Sequence, residues 1–184
     1  MQHYDDLSLM REIRGGNRAA FSVLVNRYSK YFFAIVYRFV GNRDTAEDIL
    51  QTAFLKLWER PHKFDPDRGV EFKTWFARVV VNLCRDDKRT RRPVANIDDY
   101  EIADDRAHVS DIIDTARKQM VLQNAIAKLS VPYRTAINLG VLGEMQYADV
   151  AKIMGKSTGA VKVMVNRAKE QIKCMVKEQG YELD

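Results

Sequence analysis

Apolar residues recur along this chain at steps of three and four, and almost nowhere at steps of two. The clearest case is NRAAFSVLVNRYSKYFFAIVYRFVGN, where Phe21, Leu24, Val25, Tyr28, Phe32, Ile35, Val36 and Phe39 mark one stripe. It predicts a long helix ended by Gly41 and Asn42. Ahead of it, DDLSLMREIRGG predicts a short helix stopped by Gly15 and Gly16. Behind it, RDTAEDILQTAFLKLWER predicts a third, with acids in its first turn and Pro61 beyond its end. PHKFDPDRGVEF reads as a loop, because Asp65-Pro66 and Arg68-Gly69 are turn chemistry. KTWFARVVVNLCRDDKRTRR is the next helix, with Trp75, Phe76, Val79, Val80 and Leu83 on its apolar face and a basic run halted by Pro93.

The pattern then lapses. VANIDDYEIADDRAHVSDIIDT is rich in acids and poor in large apolar residues, so 94–114 is predicted to be a flexible, solvated linker, with a helix resuming near Asp111. Four more helical patterns follow, broken at Ser130-Val131-Pro132, Gly143-Glu144 and Gly155-Lys156. The predicted fold is all-α: two small helical domains, 1–93 and 115–184, joined by the acidic linker.

Composition narrows the classes. The chain has 184 residues and a net charge of +5, which favours an anionic partner. Cys84 and Cys174 are the only cysteines, too few for a disulfide framework, which points to a reducing cytosol. His3, His62 and His108 are scattered, and no metal or other cofactor is expected. No apolar run is long enough to span a bilayer, and the N-terminus is acidic and lacks the apolar middle of a signal peptide. The expectation is a soluble, cytoplasmic protein with no membrane insertion.

YADVAKIMGKSTGAVKVMVNRAKEQI carries the spacing of a helix-turn-helix. Ala151, Gly155 and Val161 supply the small residue, the turn glycine and the apolar corner, and Ser157 is placed to cap the second helix. In that helix Val161, Met164, Ala168, Ile172 and Met175 are expected to face the core. Thr158, Lys162, Asn166, Lys169 and Lys173 step along the other side, flanked by Arg167. Such a helix can enter a major groove, with its first turns at base edges and its later lysines at phosphates.

Two features of the N-terminal half ask for more than duplex binding. In DTAEDILQTAFLKLW, Ile49, Leu50, Ala53, Phe54, Leu57 and Trp58 form a core face, while Asp44, Glu47, Asp48 and Gln51 form an acidic patch suited to a basic protein surface. After it, Phe64, Phe72, Trp75 and Phe76 lie among Lys73, Arg78, Arg85, Lys88, Arg89, Arg91 and Arg92, a mixture that suits single-stranded nucleic acid and an unstacked base. On these residues alone, a conventional helix-turn-helix repressor or activator stays open. A DNA-processing enzyme has less support, because the carboxylates sit at helix starts and in the linker.

The segments D-x-A-E-D-I-L-Q-x-x-F-L-K-L-W, F-x-T-W-F-x-R-V-V-V-N and L-S-x-P-Y-R…Y-A-D-V-A-K-I-M-G-x-S-x-G-A-V-K…R-A, in this order, resemble a bacterial sigma factor of the small, two-domain extracytoplasmic-function (ECF) group of the sigma-70 family. The resemblance spans nearly the whole chain. It implies a transcription initiation factor without catalysis of its own, whose partners are core RNA polymerase (the largest-subunit clamp helices and the flap), promoter DNA and an anti-sigma protein. Asp44, Glu47, Asp48 and Gln51 would meet the clamp helices. The loop from Phe64 to Phe72, with Arg68, Lys73 and Trp75, would hold a flipped base of the -10 element. Arg78, Asn82, Arg85, Lys88 and Arg89 would line the strand beside it. Ser157, Thr158, Lys162, Val163, Asn166, Arg167 and Lys169 would read the -35 element, and the acidic linker would run toward the RNA exit path. The chain departs from the family pattern at Thr52, where an acid is usual, at Lys156, where an aliphatic residue is usual, and at Val163-Met164, where Ser-Arg is usual. With fewer polar groups at base edges, the -35 contacts would lean on phosphates, DNA shape and a thymine methyl against Val163.

Overall fold

The computed structural model describes residues 5–65, 69–90 and 109–181, without the side chains of 88–90 and 109–116. The described residues are helical and contain no strand. The chain divides into two compact units, Met1–Ala95 and Asn96–Asp184.

The first unit is built on α1 (Asp6–Arg14), α2 (Arg18–Val40), α3 (Arg43–Glu59) and α4 (Phe72–Thr90). A single 3-10 turn, Pro61–Lys63, follows α3. Each helix boundary has a chemical cause. Asn17 Oδ1 accepts from the amides of Ala19 and Ala20 at 2.9 and 3.2 Å and starts α2. Gly41, at φ 74°, turns the chain back at its end and donates to the Tyr37 carbonyl. One residue later Asn42 caps α3 through the Thr45 amide. The predicted stripe of α2 becomes the centre of the unit: Leu24, Phe32, Ile35, Val36 and Phe39 are buried against α1, α3 and α4. Phe32 meets Phe76 at 4.9 Å and Phe54 stacks on Phe76 at 4.8 Å, so one ring from each of α2, α3 and α4 forms the core.

On α4 the buried face is rotated from the predicted one. Phe72, Phe76, Ala77, Val80, Val81 and Cys84 are buried, whereas Trp75, Val79 and Leu83 are only half-buried. The small residues Ala77 and Cys84 lie inward because α4 crosses two helices, and a window scored for bulk misses them. Burial, with a smaller contribution from Asp87, pushes the Cys84 thiol up to about 12.

The second unit packs α5 (Val109–Lys128), α6 (Val131–Gly140) and α7 (Tyr147–Met154) against α8 (Thr158–Lys177). Helix α5 begins at Val109, close to the resumption expected near Asp111 and inside the span predicted as linker. The acidic stretch 94–108 lies outside the described residues, as do Arg91 and Arg92. Arg134 of α6 is buried and closes the end of α5. Its guanidinium donates to the carbonyls of Ile126 at 3.2 Å, Leu129 at 2.9 Å and Ala127. These oxygens sit at a helix C-terminus, where a cation and N–H donors are both favoured. Burial lowers the Arg134 pKa, and three carbonyls offset that cost of burying charge. Asn138, one turn on, is fully buried, and neither Oδ1 nor Nδ2 finds a partner among the described atoms.

Glu144, between α6 and α7, has φ 52°, a left-handed conformation with no glycine to relieve it. Glu144→Gly is expected to stabilise this unit by about 0.5–1 kcal/mol, the strain relieved less the extra freedom of an unfolded glycine. Calorimetry of the full chain tests this: one unit's transition should move up and the other's should stay.

Candidate nucleic-acid interface

The turn between α7 and α8 has the predicted corner. Ala151 and Val161 are buried, and Gly155 adopts φ 64°. The amides of Gly155 and Lys156 both return to the Ala151 carbonyl, the latter at 3.0 Å, which ends α7 in a tight left-handed cap. Ser157 Oγ then accepts from the Ala160 amide at 3.2 Å and starts α8. The buried face of α8 is Val161, Val165, Ala168, Ile172 and Val176. Met164 and Met175, predicted as core, are half-buried at its border, and Val165 and Val176 take the central places. The correction is one residue of phase.

Thr158, Lys162, Asn166, Lys169 and Lys173 are all exposed, as are Ser157 and Arg167. Val163 is 50% exposed and lies among them, an apolar side chain on a cationic face. At 3.6 residues per turn, 158, 162, 166, 169 and 173 keep to one side of the helix, opposite the packed one. That side offers hydrogen-bond donors and positive charge over its whole length.

In the first unit the sequence-derived set separates. Phe64 and Phe72 are 0% and 1% exposed. Their rings meet at 5.6 Å, and Phe72 also stacks on Phe76 at 5.4 Å. This corrects the expectation that they face a base: both rings are core, and no base can stack on them while the unit keeps this packing. Phe76 is core too. Trp75 is different. It leans on Phe64 at 5.5 Å and on Phe72 at 6.0 Å, yet stays half-buried with ring surface available. Arg78 and Asn82 are exposed three and seven residues on, so one face of α4 carries an indole, a guanidinium and an amide. Lys73 does not join them; its Nζ lies 4.0 Å from the centroid of the Tyr31 ring on α2. Arg85 is half-buried, and its Nε has no partner among the described atoms. The side chains of Lys88 and Arg89, and all of Arg68, lie outside the described residues.

On α3, Asp44, Glu47, Asp48 and Gln51 are all exposed. Glu47 is engaged by Arg43 one turn earlier, at 3.1 Å. Asp44 and Asp48 are unpaired among the described residues, so the net negative charge of the patch is theirs. Leu55, which sequence reasoning passed over, is 55% exposed and follows Gln51 by one turn, extending the stripe with an apolar end. Its signal was available: 44, 48, 51 and 55 share one helical face. Among the described residues no group of histidine, cysteine or acid side chains could hold a metal ion. No described helix is long and apolar enough to cross a membrane.

Two family descriptions match the chain: Sigma-70 region 2 over residues 24–94 and Sigma-70 region 4 over residues 119–172. The ECF RNA polymerase sigma factor SigW of Bacillus subtilis is 27% identical over 180 residues, covering 92% of this chain and 95% of that protein. The ECF RNA polymerase sigma-E factor of Haemophilus influenzae is 29% identical over 179 residues, covering 91% and 93%. Among solved structures, CnrH in complex with the cytosolic domain of CnrY matches with a TM-score of 0.71 at 24% identity, over 92% of this chain and 96% of that one. The sigma factor RpoE of Bartonella quintana, in complex with the anti-sigma factor NepR, matches with a TM-score of 0.62 at 23% identity, over 85% and 96%. These two structures share the fold. With both sigma-70 regions present in order and relatives of nearly equal length, the chain belongs to the ECF group of the sigma-70 family of RNA polymerase sigma factors.

Proposed function

We propose that this sigma factor joins core RNA polymerase through the exposed α3 stripe and opens the -10 element on the Trp75, Arg78 and Asn82 face of α4. It reads the -35 element with α8. The observation that carries this reading is the separation of chemistry within one unit. Helix α3 presents unpaired carboxylates that attract a basic protein helix and repel DNA. Helix α4 presents an aromatic surface with a cation, which attracts unstacked bases. A repressor that binds duplex DNA alone has no use for either. The linker 94–108 spans the two grips and works in the cytoplasm, where polymerase is. No covalent step is involved, because binding energy alone stabilises the melted duplex. Control by an anti-sigma protein is supported by the complex of RpoE with NepR; a cover over α3 and α8 would block both grips.

Reconstituted transcription tests the reading: the chain must bind core enzyme and direct start-site-specific transcripts. Replacing Asp48 and Gln51 with Ala is expected to weaken core binding at least tenfold, a rough figure for truncating groups at a charged interface. Binding of α8 to duplex DNA and the circular dichroism spectrum should be unchanged. Unaltered core affinity in this variant would remove α3 from the interface.

A further inference from the structure

Helix α1 precedes the segment matched by Sigma-70 region 2, which begins at residue 24. It reaches both ends of the loop that joins α3 to α4. At one end, the last residue of α1, Arg14, donates from Nη2 to the carbonyl of Phe64, where the loop starts. At the other, its first residue, Asp6, accepts from the Tyr28 hydroxyl and pairs with Arg27 at 2.5 Å. The Tyr28 ring packs 5.3 Å from Phe72, where the loop ends. Burial, reinforced by the bond to Asp6, raises the Tyr28 pKa, so the hydroxyl stays a donor.

Helix α1 is itself firmly seated. Leu9, Met10 and Ile13 are each 2% exposed, and the helix touches both α2 and the 3-10 turn. A charge-assisted bond to a peptide carbonyl holds the plane of that peptide, and a planar peptide sets the direction in which the chain leaves it. The two contacts therefore act on the arms Phe64–Asp65 and Gly69–Glu71 rather than on the core alone. Phe64 and Phe72, being core, supply the base of the loop, and the bonds from α1 supply its aim.

We propose that α1 is a brace for this loop, and that Arg14 is a positioning residue that aims its arms so that a base leaving the duplex is captured beside Trp75. The inference rests on the reading that this loop and the Trp75 face receive a -10 base.

The test uses the full chain with core polymerase and a promoter that the wild-type enzyme opens, followed by a fluorescent base in the -10 segment. Arg14→Met keeps the aliphatic stem and removes the donors; Arg14→Lys restores one. Asp6→Asn weakens the opposite end and serves if Arg14→Met folds poorly. Each is run on the intact promoter and on a series lacking one non-template base of the -10 segment at a time. Arg14→Met is expected to slow opening of the intact promoter roughly tenfold, the scale of one hydrogen bond to a charged group. Core affinity and unfolding temperature should match wild type, and Arg14→Lys should recover most of the rate. On the template lacking the captured base, wild type and Arg14→Met should open equally slowly. Equal rates on the intact promoter, with wild type still slowed by loss of one base, would overturn the brace and leave base capture standing. A wild type indifferent to every missing base would instead overturn base capture, and the brace with it.

Discussion

Phe72→Ala is expected to destabilise the N-terminal unit by about 3–5 kcal/mol, the range for deleting a fully buried phenyl ring. The ring is 1% exposed and lies within 6.0 Å, centroid to centroid, of Tyr28, Phe64, Trp75 and Phe76. Removing it takes one side from each of those contacts, and the seams between α2 and α4 meet there, so the cavity has little freedom to collapse. Phe72→Leu should recover most of the loss, leaving about 1–1.5 kcal/mol for the change of shape. The readout is convenient: both tryptophans, Trp58 and Trp75, belong to this unit, so fluorescence during urea unfolding reports it alone. A loss below about 1 kcal/mol, the ordinary range for a surface position, would mean that the ring is free to leave the core and meet a base.

Replacing Lys162 and Arg167 together with Ala is expected to weaken binding to -35 duplex by roughly 10- to 1000-fold, depending on whether each contact reaches a base edge or a phosphate. Both side chains are exposed on α8, away from its packed face, so the fold should tolerate their loss. Anisotropy measured over a range of salt separates the two kinds of contact. Lost phosphate contacts lower the slope of log affinity against log salt by about one each, whereas a lost base contact lowers discrimination between sequences. Core polymerase binding should not change. If it falls while duplex binding holds, the division of labour between the two units is wrong.

Much of the fold was legible because helices announce themselves locally. Asn17, Gly41, Asn42, Gly155 and Ser157 cap helices where their side chains, or the lack of one, allow, and the stripe of α2 follows from period alone. What period cannot fix is phase to within one residue. Met164 and Val165 are neighbours of similar polarity, and only packing against α5, α6 and α7 decides that Val165 goes inward. Nor does an aromatic residue declare which way its ring faces: Phe64, Phe72 and Trp75 have the same local signature, and only the outermost of the three keeps surface. Arg14 carried no signal at all, because its partner is a backbone carbonyl 50 residues away. Leu55 was legible and went unread, since a leucine in an amphipathic helix is assumed to be inside.

Cys84 and Cys174 make this chain its own thermometer. Cys84 lies fully buried with its thiol pushed up to about 12, so at neutral pH it offers neither access nor thiolate to an alkylating reagent. Cys174 is exposed on α8. A reagent added to the native protein will therefore mark Cys174 at once, and Cys84 only when the N-terminal unit opens. The slow second label then counts those openings, and its dependence on temperature, core polymerase or promoter DNA gives their free energy without a probe having been engineered in.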